Sequence, residues 1–124
     1  MPKKILIVDD EPNIVLSVEF LMKRSGYDVV TATDGQQALD LLAEVDPDLM
    51  ILDVMMPRKN GFEVCAEIRA DQQFLKLPIL MLSAKGREAE VKKGLSLGAV
   101  AYITKPFSTH ELVEKVSELL QHKD

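Results

Sequence analysis

Carboxylate, hydroxyl and ammonium side chains stand at four widely separated places in this chain: Asp9-Asp10-Glu11, Asp53, Ser83 and Lys105. Each closes or closely follows a short apolar run, at residues 5–8, 49–52, 79–82 and 100–103. If those runs are neighbouring strands pointing the same way, their ends deliver three carboxylates (Asp9, Asp10 and Asp53), a hydroxyl and an ammonium to one rim. A single acidic residue after a strand is more often a helix cap or a turn former, and Asp34, just ahead of Gly35, is read as such a cap. The combination is different, because Asp9, Asp10 and Asp53 would repel one another. Two carboxylates about 5 Å apart at an effective dielectric of about 20 cost on the order of 3 kcal/mol, so the cluster requires a cation or raised pKa values. An all-oxygen donor set suits Mg²⁺, a hard ion that usually takes one or two carboxylates, several waters and a phosphate.

The apolar patterning shows which elements must position these groups. The four runs are continuous rather than alternating, as in strands covered on both faces. Residues 27–32 mix polar and apolar side chains and read as an edge strand, second in chain order. Helical spacing fills the gaps. Ile14, Val18, Leu21 and Met22 make one stripe, opened by Pro12 and stopped by Gly26. Ala38, Leu41, Leu42 and Val45 make a second, ending before Pro47, and Val64, Cys65 and Ile68 mark a third. The fourth, at residues 88–97, has Val91 and Leu95 as its apolar pair and Gly94 in its interior. Glycine there costs up to about 1 kcal/mol of helicity relative to alanine, so this is the helix expected to move. The fifth opens on Ser108-Thr109-His110-Glu111, a capping-box pattern, and carries Leu112, Val116, Leu119 and Leu120 on one face. Strands alternating with helices give an α/β chain of (βα)5 type. Right-handed crossovers fold it into a doubly wound, five-stranded parallel sheet, flavodoxin-like, with strand order 2-1-3-4-5. The crevice of such a sheet lies beyond the carboxyl ends of its strands, where the winding reverses between strands 1 and 3.

Size and composition narrow the function classes. A length of 124 residues, 47% hydrophobic and 28% charged, fits one domain over residues 1–124. The net charge of −5 argues against direct nucleic-acid binding, which needs a basic surface to displace counterions. Cys65, the sole cysteine, closes no intrachain disulfide and reads as a small core residue. With no charged-then-apolar leader ahead of residue 5, a cytoplasmic chain is expected. Every apolar run is cut well short of the roughly 20 residues that span a bilayer, so no membrane insertion is expected.

The chain resembles the receiver domain of two-component response regulators, chemotaxis-regulator-like in plan. The resemblance is carried by Ile7-Val8-Asp9-Asp10-Glu11, by residues 51–57 with Asn60-Gly61, by Leu82-Ser83-Ala84 and by residues 102–107, in order along the whole chain. It implies that Asp53 accepts a phosphoryl group from a phosphohistidine on a sensor kinase or phosphotransfer protein. Asp9, Asp10, Asp53 and the backbone carbonyl of Met55 would hold Mg²⁺. Lys105 would pair with one phosphoryl oxygen and the Ser83 hydroxyl with another. Charge balance agrees, since three carboxylates and Lys105 leave two negative charges over, which a divalent cation cancels. Ser83 and Tyr102 would form the switch, with Tyr102 turning inward as Ser83 moves. Helix 4, strand 5 and helix 5 would be the surface that changes for a downstream effector or an output domain, and Lys105-Pro106 would be a cis peptide. The implied chain is a signalling switch rather than a turnover enzyme.

Some positions set this chain apart. Met55 and Lys85 occupy the variable positions flanking the site, and neither is a carboxamide able to position a water, so a phosphoryl lifetime of minutes or longer is expected. Val100 and Ala101 stand where dimerising members carry acidic residues, so no charge-paired dimer through helix 4, strand 5 and helix 5 is expected. Lys85, Arg87, Lys92 and Lys93 are read as a solvated basic face, and His110 and His122 as surface residues. Asp9-Asp10-Glu11 lacks the Asp-x-Asp of a haloacid-dehalogenase-type hydrolase, and no glycine-rich nucleotide loop follows the first run. The remaining alternative is a docking module that works without phosphorylation, which would have no reason to keep mutually repelling charges together.

Overall fold

The computed structural model describes residues 2–56, 58–84 and 88–121, with Glu88 described in its backbone only. Five strands, β1 (Lys4–Val8), β2 (Asp28–Ala32), β3 (Leu49–Asp53), β4 (Ile79–Ala84) and β5 (Ala101–Lys105), alternate with helices α1 (Pro12–Arg24), α2 (Gly35–Val45), α3 (Gly61–Arg69), α4 (Glu88–Ser96) and α5 (Thr109–Gln121). The strands form one sheet in the expected order β2-β1-β3-β4-β5, and every neighbouring pair is parallel.

Alternation along each strand divides the core in two. Ile5, Ile7, Leu49, Ile51, Leu80, Leu82 and Ile103 pack with Val18 and Met22 of α1 and Leu112, Val116 and Leu120 of α5. Leu6, Val8, Met50, Leu52, Ile79 and Met81 pack on the other side with Ala38 and Leu42 of α2 and Val64, Cys65 and Ile68 of α3. The central strand β3 is buried along its whole length, whereas β2 is buried only at Ala32, as expected of an edge.

Local chemistry fixes the ends of the helices. Pro12 opens α1, and Gly26, at φ +96°, takes the left-handed conformation just past its end. Asp34 caps α2 by accepting from the Gln37 N–H. Ser108 accepts from the Glu111 N–H at 3.0 Å. The reciprocal capping box forms at another helix, where Asn60 and Glu63 exchange hydrogen bonds at the start of α3. Two expectations need correction. β5 begins at Ala101, leaving Val100 half-exposed just before the strand, because the chain is still turning from Gly98 at φ +113°. Leu95 does not face the core and is 42% exposed; Gly94 instead faces inward, packed so closely on Met81 Sδ that a Cβ would collide. A 3-10 turn at Gln72–Phe74, capped by Asp71, was not expected and buries Phe74.

Candidate functional site

Strand register brings the separated carboxylates together. β1 and β3 are neighbours with Val8 beside Leu52, so Asp9 and Asp53 lie side by side at the strand ends. One carboxylate oxygen each from Asp9, Asp10 and Asp53 lie within 4.8 Å of one another. Asp9 is fully buried and Asp53 is 5% exposed, while Asp10 faces solvent. Asp9 is held from two sides: its N–H donates to the Ala32 carbonyl at 3.2 Å, and its Oδ1 accepts from the Glu11 N–H at 2.9 Å. The end of β3 is braced by Gly61, whose N–H donates to the Val54 carbonyl at 2.8 Å and whose missing side chain leaves room for the Asp53 carbonyl.

Lys105 comes from β5 on the same face of the sheet as Asp9 and Asp53. Its Nζ donates to Asp53 Oδ1 at 3.2 Å and to Glu11 Oε1 at 3.0 Å. It also lies 3.0 Å from Asp9 Oδ2, which is buried and has no donor in hydrogen-bond alignment among the described residues; this contact is an ion pair by distance. Lys105-Pro106 is cis, as the resemblance implied.

The electrostatics follow from burial. Asp53 is pushed up to about 6, first because burial disfavours its charged form and next because the Asp9 charge repels it; Lys105 offsets part of the rise and Asp10 adds to it. Burial alone would pull Lys105 down. Contacts with the Glu11 and Asp9 carboxylates and the charge of Asp53 more than reverse that, holding the ammonium above the ordinary lysine range. The donor set is all oxygen, carries excess negative charge and includes a buried, donor-poor carboxylate oxygen. These properties fit a hard divalent cation such as Mg²⁺.

Ser83 ends the buried part of β4 on the opposite pleat phase, and its Oγ is buried without a hydrogen-bond partner among the described residues. It lines a narrow crevice, too tight to admit a water molecule, with Val54, Met81, Val91 and Tyr102. Tyr102 is 45% exposed, at the outer wall of this crevice. The Met55 side chain is exposed, two residues past Asp53. Cys65 is buried, with its Sγ 3.4 Å from the Leu97 carbonyl. His110 is exposed, 2.7 Å from Glu114. Lys92 and Lys93 are exposed, and the Lys93 ammonium lies 4.7 Å from the centre of the Phe62 ring. Pro57, Lys85, Gly86, Arg87 and His122 lie outside the described residues. Glu11 is the site residue that sequence reasoning missed. Its only signal was a third acidic residue following β1.

The family model for the response regulator receiver domain matches residues 5–117. Over its whole length the chain is 49% identical to the alkaline phosphatase synthesis transcriptional regulatory protein PhoP of Bacillus subtilis (strain 168), of which it covers 51%; it thus spans about half the length of that relative. Among solved structures, a protein of Chloroflexus aurantiacus J-10-fl assigned as a response regulator is 35% identical with TM-score 0.95, covering 98% of this chain and 100% of that one. The chemotaxis protein CheY4 of Vibrio cholerae is 33% identical with TM-score 0.90, covering 96% and 99%. The chain belongs to the response regulator receiver domain family, the phosphorylation-dependent switches of two-component signalling. No helix among the described residues is long and apolar enough to cross a membrane.

Proposed function

We propose that Asp53 is the phosphoacceptor of this receiver. The observation that carries the reading is the convergence on Asp53 of two further carboxylates and one ammonium at the strand ends. In the transfer, an Asp53 carboxylate oxygen attacks phosphorus while the P–N bond of a kinase or phosphotransfer phosphohistidine breaks, its electron pair returning to the imidazole. Asp9, Asp10, Asp53 and the Met55 carbonyl would hold Mg²⁺, which when bound neutralises charge on the phosphoryl oxygens. Lys105, already 3.2 Å from Asp53, is the chain's own cation for the same task. The Ser83 hydroxyl, without a partner among the described residues, can donate to another phosphoryl oxygen. A move of Ser83 toward the phosphoryl group widens the crevice beside it, and an inward turn of Tyr102 refills that space, changing the surface of α4, β5 and α5.

Residues 1–124 act as one cytoplasmic receiver domain, read by an effector protein or an attached output domain, with no direct nucleic-acid contact of its own. The side chains of Val100 and Ala101 supply no charge for an ion-paired dimer. Met55 and Lys85 offer no carboxamide to orient an attacking water, and a phosphoryl lifetime of minutes or longer follows. Loss of label within seconds, timed after a small-molecule phosphodonor is removed, would contradict that lifetime. Beryllofluoride with Mg²⁺ tests the reading itself: wild type should bind it and Asp53→Ala should not. Equal binding by the two proteins would refute the assignment.

A further inference from the structure

We propose that Glu11 is a positioning residue that engages Lys105 in the unphosphorylated protein and yields it when a phosphoryl group arrives on Asp53. The proposal rests on Asp53 being the acceptor. An ammonium has three N–H donors, and three carboxylates crowd this one: Asp9 at 3.0 Å, Asp53 at 3.2 Å and Glu11 at 3.0 Å. Two of the donors are taken by hydrogen bonds to Asp53 and Glu11, and the Asp9 ion pair crowds the third, so an arriving phosphoryl oxygen competes with these carboxylates for the ammonium. Asp9 is fully buried and pinned by the Glu11 N–H, and Asp53 is itself the acceptor. The Glu11 side chain is 59% exposed and can return to water. Exposed ion pairs contribute little, whereas a phosphoryl group brings about two negative charges and three acceptor oxygens. The exchange therefore runs toward the phosphorylated state.

The fold does not need this carboxylate. Glu11 sits at the N-cap of α1 but makes no side-chain capping bond, and Pro12 opens the helix. Only backbone groups of Glu11 hold the turn, through its N–H to Asp9 and its carbonyl to the Val15 N–H.

Glu11 could instead act as a general negative charge that repels any anion. Length separates the two ideas: Glu11→Asp keeps the charge but shortens the reach by one methylene, and Glu11→Gln keeps the length but removes the charge. The affinity for beryllofluoride at saturating Mg²⁺ is measured for wild type, Glu11→Gln and Glu11→Asp, each with and without Lys105→Met. Solvent exchange of the Lys105 ammonium protons, followed by NMR of ¹⁵N-lysine protein without beryllofluoride, gives a readout independent of the acceptor. Both Glu11 variants should bind about two- to five-fold more tightly than wild type, exchange their Lys105 protons faster, and show no gain in affinity in the Lys105→Met background. Wild-type behaviour of Glu11→Asp, or a Glu11→Gln gain that survives Lys105→Met, would overturn the proposal while leaving Asp53 as acceptor. Failure of wild type to bind beryllofluoride would remove the acceptor reading and this proposal with it, whatever the exchange rates.

Discussion

Replacing Asp53 by asparagine should stabilise the protein, by an amount that depends on pH. Burial and the Asp9 charge raise the carboxyl from its ordinary 3.8 to about 6. The folded state therefore binds a proton more tightly than the unfolded state. Between those values the folded protein holds more protons, so stability falls as pH rises, and above about pH 6 the full cost of the buried charge is present. At 1.36 kcal/mol per pKa unit, the rise corresponds to about 3 kcal/mol at about pH 8 and to about 0.5 kcal/mol near pH 4. Asparagine matches the shape of the protonated acid, and Lys105 keeps its contacts with Asp9 and Glu11. Urea denaturation of wild type and Asp53→Asn in EDTA, at about pH 4 and about pH 8, should give a stability gain several-fold larger at the higher pH. Saturating Mg²⁺ should narrow the gap, because the cation stabilises the wild-type site preferentially. A variant less stable than wild type at about pH 8, or a gain equal at both pH values, would refute the electrostatic reasoning.

Gly61→Ala would drive a Cβ against the Asp53 carbonyl and to 2.9 Å from Val54 Cα. It should cost about 2 kcal/mol or more and weaken Mg²⁺ binding, as read by denaturation and calorimetry; an unchanged affinity would show that the end of β3 tolerates the shift. Lys105→Met leaves Asp9, Glu11 and Asp53 without their cation, and calorimetry should find Mg²⁺ bound more tightly than in wild type. Arg69 ties the end of α3 to the turns that lead into β4 and β5, donating to the carbonyls of Gly98 at 2.8 and 3.0 Å, Phe74 at 2.9 Å and Leu75 at 3.3 Å. Arg69→Ala should cost about 2–4 kcal/mol in urea denaturation, and a loss under about 1 kcal/mol would show those carbonyls to be adequately hydrated without it.

The sheet was legible because its strands are buried on both faces, so continuous apolar runs mark them without any tertiary information. The edge position of β2 showed in Asp28 and Thr31, which a central strand would not carry. Asp9, Asp10 and Asp53 were legible as a cluster because each closes a strand or directly follows one, and parallel strands align their ends. Other features depend on contacts far along the chain. Glu11 meets Lys105 from 94 positions away in the chain, and nothing local to Glu11 announces the pair. The 3-10 turn at Gln72–Phe74 is too short to show periodicity. The start of β5 was misplaced because Val100 is apolar yet precedes the pairing that begins between Leu80 and Ala101. Gly94 looked like a weakness in α4, but the close approach of that helix to Met81 gives it a packing reason.

The central claim is that residue 53 accepts phosphorus with the help of a divalent cation. Wild type, Asp53→Asn and Lys105→Met are incubated with a small-molecule phosphodonor, with Mg²⁺ or with EDTA, and followed by intact mass and peptide mapping. The account predicts one added phosphoryl group on wild type, located on Asp53 and dependent on Mg²⁺, none on Asp53→Asn, and slower addition on Lys105→Met. Phosphorylation at another residue, or equal labelling of wild type and Asp53→Asn, would contradict it.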